Sequence, residues 1–269
     1  MFSRFSFHVQ PTSVSLALNL LGTSLHVASE KGQVEVVKCL IENGANINAG
    51  KVFQKTPLHV ASAKGQLEVV KCLIENGADI NAGKAFQGTP LHVASEKGQV
   101  EVVKCLIENG ADINARNISQ RTPLHVASEE GQFEVVKRLI QEGAKIDAWN
   151  NLQESPLHVA SGKGQVKVVK CLIESGADIN ARKVFQKPQL ISSLFQKTPL
   201  HVAAEYGQVE VIKCLIKNGA DINERNIWLK TPLHLASENG QFEAVKYLIQ
   251  EGADINARSA FQVKLISQY

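Results

Sequence analysis

Residues 56 to 88 read TPLHVASAKGQLEVVKCLIENGADINAGKAFQG, and residues 89 to 121 repeat this stretch with only seven changes. The motif Thr/Ser-x-Leu-His opens every copy, at Thr23, Thr56, Thr89, Thr122, Ser155, Thr198 and Thr231. Successive copies start 33 residues apart, except between the fifth and sixth, where the distance is 43. Self-similarity at a fixed period of this size indicates a repeat array.

Each copy predicts two short helices followed by a connecting segment. Thr56 suits an N-cap and Pro57 suits the first helical position, while Gly65 ends the first helix. The second helix is expected over residues 67–76, with Gly77 in a left-handed C-cap. Helices this short are marginal in isolation, and a 33-residue unit is too small for its own core. We therefore predict an all-α solenoid in which neighbouring units stack.

The repeat resembles the ankyrin repeat. The resemblance rests on Thr-Pro-Leu-His-Val-Ala, Gly-Gln, Glu-Val-Val-Lys-x-Leu-Ile and Gly-Ala-Asp-Ile-Asn, and it covers seven repeats over about residues 22–262. It implies stacked helix-turn-helix units with a short β-hairpin finger at each junction. It also implies that partners bind along the fingers and the exposed side of the first helices. The chain departs from the family in its finger turns, where Lys51-Val52-Phe53-Gln54 replaces the usual Asp-x-x-Gly.

The domain organisation follows from the repeat. Residues 1–21 are expected to form a poorly ordered N-terminal tail and residues 263–269 a C-terminal tail. The longer interval before Thr198 places a ten-residue insertion at 188–197, within a finger. We expect it to form a protruding loop, because a solenoid tolerates extra residues there without losing its stacking.

Composition narrows the class of protein. The 29 basic and 26 acidic residues give a net charge of +3, too small to indicate general nucleic-acid or membrane-surface binding. No apolar run reaches the roughly 18 residues of a membrane-spanning helix. The five cysteines are odd in number, which favours a reducing compartment. We expect a cytoplasmic protein, with the nucleus as the alternative.

The repeated polar residues indicate structure rather than catalysis. Seven of the eight histidines, such as His59 and His92, occupy one repeat position. Stacked helices lie roughly 8–10 Å apart, too far for neighbouring histidines to share one zinc ion. Each imidazole is expected to bond the Thr hydroxyl three residues earlier and a backbone group of the next repeat. Nucleotide-binding, metalloprotease and hydrolase motifs are absent from the sequence. We therefore predict no enzymatic activity, no cofactor, no metal site and no small-molecule substrate.

The fingers carry the sequence variation. They span residues 49–55, 82–88, 115–121, 148–154, 181–197, 224–230 and 257–264, and they hold thirteen basic residues against two acidic ones, a sum of +11. Apolar side chains recur at their tips. One interpretation is that these side chains pack between adjacent fingers, and the other is that they form an exposed apolar row that binds a partner. The candidate partner-binding residues are Phe53, Lys55, Phe86, Arg121, Phe195, Lys197, Tyr206, Trp228 and Lys230.

The leading functional prediction is a monomeric, non-enzymatic scaffold for protein–protein interaction. Its partner would be an acidic segment bearing apolar anchors, held along the basic, aromatic-tipped finger edge. One alternative is that the same edge binds polyanions, either nucleic acid or an anionic membrane. Another is that the chain is the repeat portion of a larger multidomain protein.

Overall fold

The computed structural model describes residues 22–50, 55–83, 88–182 and 196–260. Within these ranges the chain forms fourteen helices in seven pairs, and it contains no β-strand. The chain divides into two compact units, Met1–Ile118 and Ser119–Tyr269. Each is described by itself.

The first unit holds three helix pairs. Its helices are α1 (Ser24–Lys31), α2 (Val34–Glu42), α3 (Pro57–Lys64), α4 (Leu67–Glu75), α5 (Pro90–Glu96) and α6 (Val100–Glu108). The first helices of successive repeats pack on one another, α1 on α3 and α3 on α5. The second helices do the same, α2 on α4 and α4 on α6. The predicted stacking of sequence neighbours is present in this unit.

The second unit holds four helix pairs with the same packing order. Its helices are α7 (Pro123–Glu129), α8 (Phe133–Gln141), α9 (Pro156–Gly162), α10 (Val166–Glu174), α11 (Pro199–Glu205), α12 (Val209–Lys217), α13 (Pro232–Glu238) and α14 (Phe242–Gln250). First helices pack on first helices, and second helices on second helices. The pairs before and after the longer interval, α9 with α10 and α11 with α12, stack directly.

Leucines at two repeat positions form the apolar core. Leu58 and Leu157 on first helices, and Leu73 and Leu172 on second helices, are fully buried. Burying a leucine side chain contributes about 1.5–3 kcal/mol. Because the helix pairs repeat, each leucine is covered by its own pair and by the adjacent pair, which makes the folding of neighbours interdependent.

The Thr-x-x-His segment caps the first helices and joins successive repeats. In the fifth repeat, Ser155 Oγ lies 2.8 Å from His158 Nδ1, and the Ser155 backbone N–H donates to the same nitrogen. The ring therefore carries its proton on Nε2, which donates to the Lys197 carbonyl at 2.9 Å. The same bond to the next repeat is made by His26, His59, His125 and His201. This arrangement confirms the predicted structural role of the histidines.

Glutamine forms a second link between repeats, which the sequence reasoning missed. Gln165 Nε2 donates to the Glu129 carbonyl at the end of α7, at 3.0 Å. Gly131 makes room for this side chain, since a Cβ there would lie 2.3 Å from Gln165 Oε1. Its φ of 71° is also in the left-handed region. The Gly-Gln pair thus stops a first helix and satisfies one of its terminal carbonyl groups.

A third link runs through the Asp-Ile-Asn segments after the second helices. The Asp79 backbone N–H donates to Asn48 Oδ1 at 2.9 Å, and Asp254 N–H donates to Asn223 Oδ1 at 2.8 Å. Both bonds join a repeat to the one before it. These exposed asparagine side chains therefore help to join the repeats and are not a free polar surface.

The fingers differ from the expected β-hairpins, because within the described residues they are turns without strands. In the fourth finger, Asn150 Oδ1 accepts from the backbone N–H groups of Leu152 and Glu154, at 2.8 and 3.0 Å. Asn226 does the same for Trp228 and Lys230. The buried asparagine holds the turn that glycine holds in the family pattern, although Gln153 and Leu229 adopt positive φ values of 62° and 55°. Backbone bonds close the same turns, with the Asn150 and Asn226 N–H groups each donating at 3.0 Å to the carbonyl four residues later, and no strand forms in these fingers.

Among the described helices, none is long and apolar enough to cross a membrane.

Candidate protein-binding surface

The predicted site residues fall into two sets. Lys55, Arg121, Lys197, Tyr206, Trp228 and Lys230 are described. Phe53, Phe86 and Phe195 lie outside the described residues, as do the predicted N-terminal tail and most of the insertion. The site is therefore built from the second unit, which holds all of the described candidates except Lys55.

In three repeats of the second unit, the finger residue that precedes the capping threonine pairs with a glutamate at the end of the same repeat's first helix. Lys197 Nζ lies 2.6 Å from Glu205 Oε2, and Lys230 Nζ lies 2.6 Å from Glu238 Oε1. Arg121 pairs with Glu129, which also contacts Lys163 Nζ at 3.4 Å. These three predicted binding cations are thus partly neutralised within the protein. The charge of +11 summed over the fingers therefore overstates the positive electrostatic potential at this surface, because it leaves out the glutamates of the first helices.

A second set of cations lies near the start of the last three fingers. We call these residues the arginine row: Arg182, Arg225 and Arg258. All three side chains are exposed. Arg182 Nη1 contacts Glu224 Oε1 at 2.5 Å. Arg225 and Arg258 form no ion pair with any other described residue. The arginine row therefore keeps the net positive charge of these fingers.

The apolar finger residues are partly packed and partly exposed. Trp228 is half-buried, and its carbonyl accepts from the Ala260 N–H at 2.9 Å, which ties the sixth finger to the seventh. Leu152 and Leu229 are 60% and 46% exposed. The described finger residues therefore differ in exposure: Trp228 is tied to the next finger, while Leu152 and Leu229 face outward.

Tyr206 lies beside the fourth finger, at the end of α11, and is 60% exposed. Together with Leu152 and Val202 it lines a cleft of about 170 Å³, whose other walls are polar. The polar lining residues are Gln153, Glu154, His158, Lys197 and Glu205. This volume lies below the roughly 300–1,000 Å³ typical of a small-molecule pocket.

The histidine in the wall of the cleft has a structural role. Burial lowers the pKa of His158 to about 4, so its ring is neutral near pH 7. Trp149 packs against this ring, with centroids 5.5 Å apart. Both nitrogens of this neutral imidazole form hydrogen bonds within the protein, so neither is free to bind a ligand or transfer a proton.

Four of the cysteines are held as thiols by their surroundings. Burial raises the pKa of the Cys72, Cys105, Cys171 and Cys214 thiols, which keeps them protonated and weakly nucleophilic. Across the described ranges, no cluster of three or more His, Cys, Asp or Glu side chains could hold a metal ion.

Comparison with known proteins places the fold in a family. The family model described as ankyrin repeats (3 copies) matches residues 25–117, 91–183 and 185–259. The chain belongs to the ankyrin repeat family. Ankyrin repeats are protein–protein interaction modules, and the family is typically non-catalytic.

A solved ankyrin structure is similar over most of its length. The crystal structure of the human ASB11 ankyrin repeat domain shares 30% identity, with a TM-score of 0.71. The match covers 84% of this ankyrin chain and 98% of the ASB11 domain. Comparison with curated protein sequences gives no significant match.

Proposed function

We propose that this ankyrin repeat chain is a non-enzymatic scaffold that binds a protein partner along the fingers and first helices of its second unit. The observation that carries the proposal is the arginine row, in which Arg225 and Arg258 are exposed and without ion pairs among the described residues. Unpaired surface charge steers association and orients a partner of opposite sign. An acidic protein segment with apolar anchors suits this row and the neighbouring exposed apolar residues.

The binding residues are refined by the ion pairs. Lys197 and Lys230 are held by Glu205 and Glu238, so their contribution to partner affinity is smaller than that of Arg225 and Arg258. Tyr206 is the exposed aromatic of the surface and its apolar anchor. Trp228 and Lys230 lie on the same finger, and the backbone N–H groups of both donate to Asn226 Oδ1.

Charge reversal tests the proposal. The intact 269-residue chain would be immobilised and exposed to cell extract, and captured proteins would be compared with those held by an Arg225→Glu/Arg258→Glu variant. The matched control is Lys170→Glu/Lys246→Glu, which reverses two charges on the second helices α10 and α14. We expect a set of proteins bound by the wild-type and control chains and lost from the finger variant. Equal capture by all three chains would contradict the proposal.

The polyanion alternative is weakened by the same ion pairs, because partly neutralised lysines release fewer counterions on binding. Binding of double-stranded DNA and of phosphatidylserine vesicles at about 0.15 M salt decides between the two. We expect neither to bind. A steep loss of affinity with added salt for either polyanion would favour the alternative.

A further inference from the structure

Three departures from the repeat and one apolar finger residue meet in the cleft beside Tyr206. At the Tyr206 position the other repeats carry a polar side chain, among them Lys64, Lys97 and Lys163. Leu152 follows the repeat in being apolar, since other fingers carry Phe or Trp at its position and only the preceding finger differs, with Ser119. The other two departures are Gly162 and Glu154, at positions where most repeats have a glutamate and a basic residue, respectively. Residues that the repeat does not require thus converge on one place.

Gly162 shapes the cleft. A Cβ atom at this position would lie 2.9 Å from Val202 Cγ1 and 3.5 Å from the Tyr206 ring. The missing side chain lets Val202 and Tyr206 lie against α9, and it removes the glutamate that pairs with the finger cation in other repeats. The cleft therefore has an apolar wall where other repeats have an ion pair.

The cleft contains an unsatisfied acceptor. Gln153 Oε1 is buried, and no donor among the described residues lies within hydrogen-bonding distance. Leaving a buried acceptor without a donor destabilises the free protein. This oxygen has less than 1 Å² of accessible surface, so a ligand N–H would bond it only after the Gln153 side chain turns towards the cleft. Such a bond would remove the cost of the unsatisfied acceptor, which points to a ligand with a donor beside its apolar group.

The local charge is negative at this end of the surface. Glu154 forms no ion pair with any described residue, and Asn150 Nδ2 donates to its Oε2 at 3.1 Å. Lys197 and Glu205 in the cleft neutralise one another. The group that complements Glu154 is a cation, in contrast to the acidic group that complements the arginine row.

We propose that this cleft is the anchor site of the scaffold, receiving one large apolar side chain of an extended protein segment, with an N–H beside it donating to Gln153 Oε1 and an adjacent basic residue facing Glu154. This inference rests on the proposed function and adds the position and chemistry of the anchor. The cleft volume of about 170 Å³ suits a single side chain.

Selection from a random twelve-residue peptide display library on the intact chain tests the inference. The selected peptides are expected to share one large apolar residue next to Lys or Arg. Tyr206→Lys and Leu152→Ser, which copy residues of other repeats, should each weaken their binding at least about tenfold, because they remove the apolar walls. Gln153→Leu should weaken peptide binding about fivefold, because it removes the acceptor. It should not lower the unfolding temperature, because no buried polar group is left without a partner. Leu229 already occupies the matching position in the sixth finger.

Controls separate this inference from the proposed function. Phe242→Val alters a residue that is 71% exposed on α14, outside the cleft, and should leave peptide affinity unchanged. Peptides that lose binding in Arg225→Glu/Arg258→Glu but not in Tyr206→Lys would keep the scaffold and overturn the anchor site. Failure to select any peptide sensitive to Tyr206→Lys and Leu152→Ser overturns it as well. Peptides that bind only to a variant lacking residues 186–195 would also overturn the inference, since the chain's own insertion would then be the occupant of the cleft.

Discussion

At the scale of single residues, the repeat explains nearly every polar group of chemical interest. The sequence predicted that His59 and its equivalents bond a threonine and the next repeat, because a capping Thr three residues before a His brings the two together. It could not predict Gln153, whose unsatisfied oxygen depends on the exact turn, or the ion pairs of Lys197 and Lys230, whose partners lie eight residues along the chain. The spacing of residues in the repeat predicts hydrogen bonds that recur in every repeat. Contacts made by a residue that occurs once can be found only from the structure.

The buried histidines predict an acid-sensitive fold. Burial lowers the pKa of His59, His158 and His201 from 6.5 to about 4. Between these values the unfolded chain binds more protons than the folded one, so the free energy of unfolding falls as the pH falls from 6.5 towards 4. Each histidine contributes at most about 3 kcal/mol to this loss.

Urea unfolding at fixed temperature measures the effect. We expect a constant midpoint between pH 7 and 8, and a progressively lower midpoint from pH 6.5 to 4.5. A midpoint that stays constant down to pH 4.5 would show that the histidines are not held neutral by the fold.

At the scale of elements, helix limits were the most predictable feature. For the repeat opening at Thr56 the sequence predicted a first helix ended by Gly65 and a second over 67–76, and the helices are Pro57–Lys64 and Leu67–Glu75. Caps act locally, so the sequence contains them. The fingers were predicted as β-hairpins from the family resemblance, and this was wrong for the described fingers, because Asn150 and Asn226 close the turns with side-chain bonds.

The Gly-Gln link between repeats predicts unequal costs for two glycines of the fourth repeat. Gly131 and Gly143 have φ values of 71° and 87°, but only Gly131 touches a neighbouring side chain, that of Gln165. Gly143→Ala should cost about 1 kcal/mol for the left-handed backbone alone. Gly131→Ala should cost about 2 kcal/mol, because Gln165 is displaced from the Glu129 carbonyl as well.

A double-mutant cycle with Gln165→Ala provides the control. Without the glutamine side chain, Gly131→Ala should cost the same as Gly143→Ala in urea unfolding. Costs for Gly131→Ala that are equal with and without Gln165 would mean that the glutamine bond contributes nothing to the stack.

At the scale of the whole molecule, folding and binding rely on different residues. The repeated leucines, histidines, glutamines and glycines stack the helix pairs within each unit, and the exposed arginine row and the residues of the cleft supply the proposed binding groups. The sequence located the basic and apolar fingers, since both are linear features. It overestimated the net charge of the finger surface, because the helix glutamates are left out of a linear count of the fingers. The bond between the sixth and seventh fingers at Trp228 is likewise not visible in the sequence.

Affinity and thermal stability measured on the same two variants test this separation most directly. One variant, Arg225→Glu/Arg258→Glu/Tyr206→Lys, changes only exposed residues of the proposed binding surface. The other, His201→Ala, removes a fully buried repeated side chain that bonds Thr198 and the Lys230 carbonyl, a change that costs about 2–4 kcal/mol. For the partner captured by the wild-type chain, we predict that the first variant loses at least about tenfold in affinity with an unchanged Tm. The His201→Ala variant should have a lower Tm. At a temperature where it stays folded, it should bind the partner with the affinity of the wild-type chain. A first variant that unfolds early, or that binds as tightly as the wild-type chain, would contradict the account.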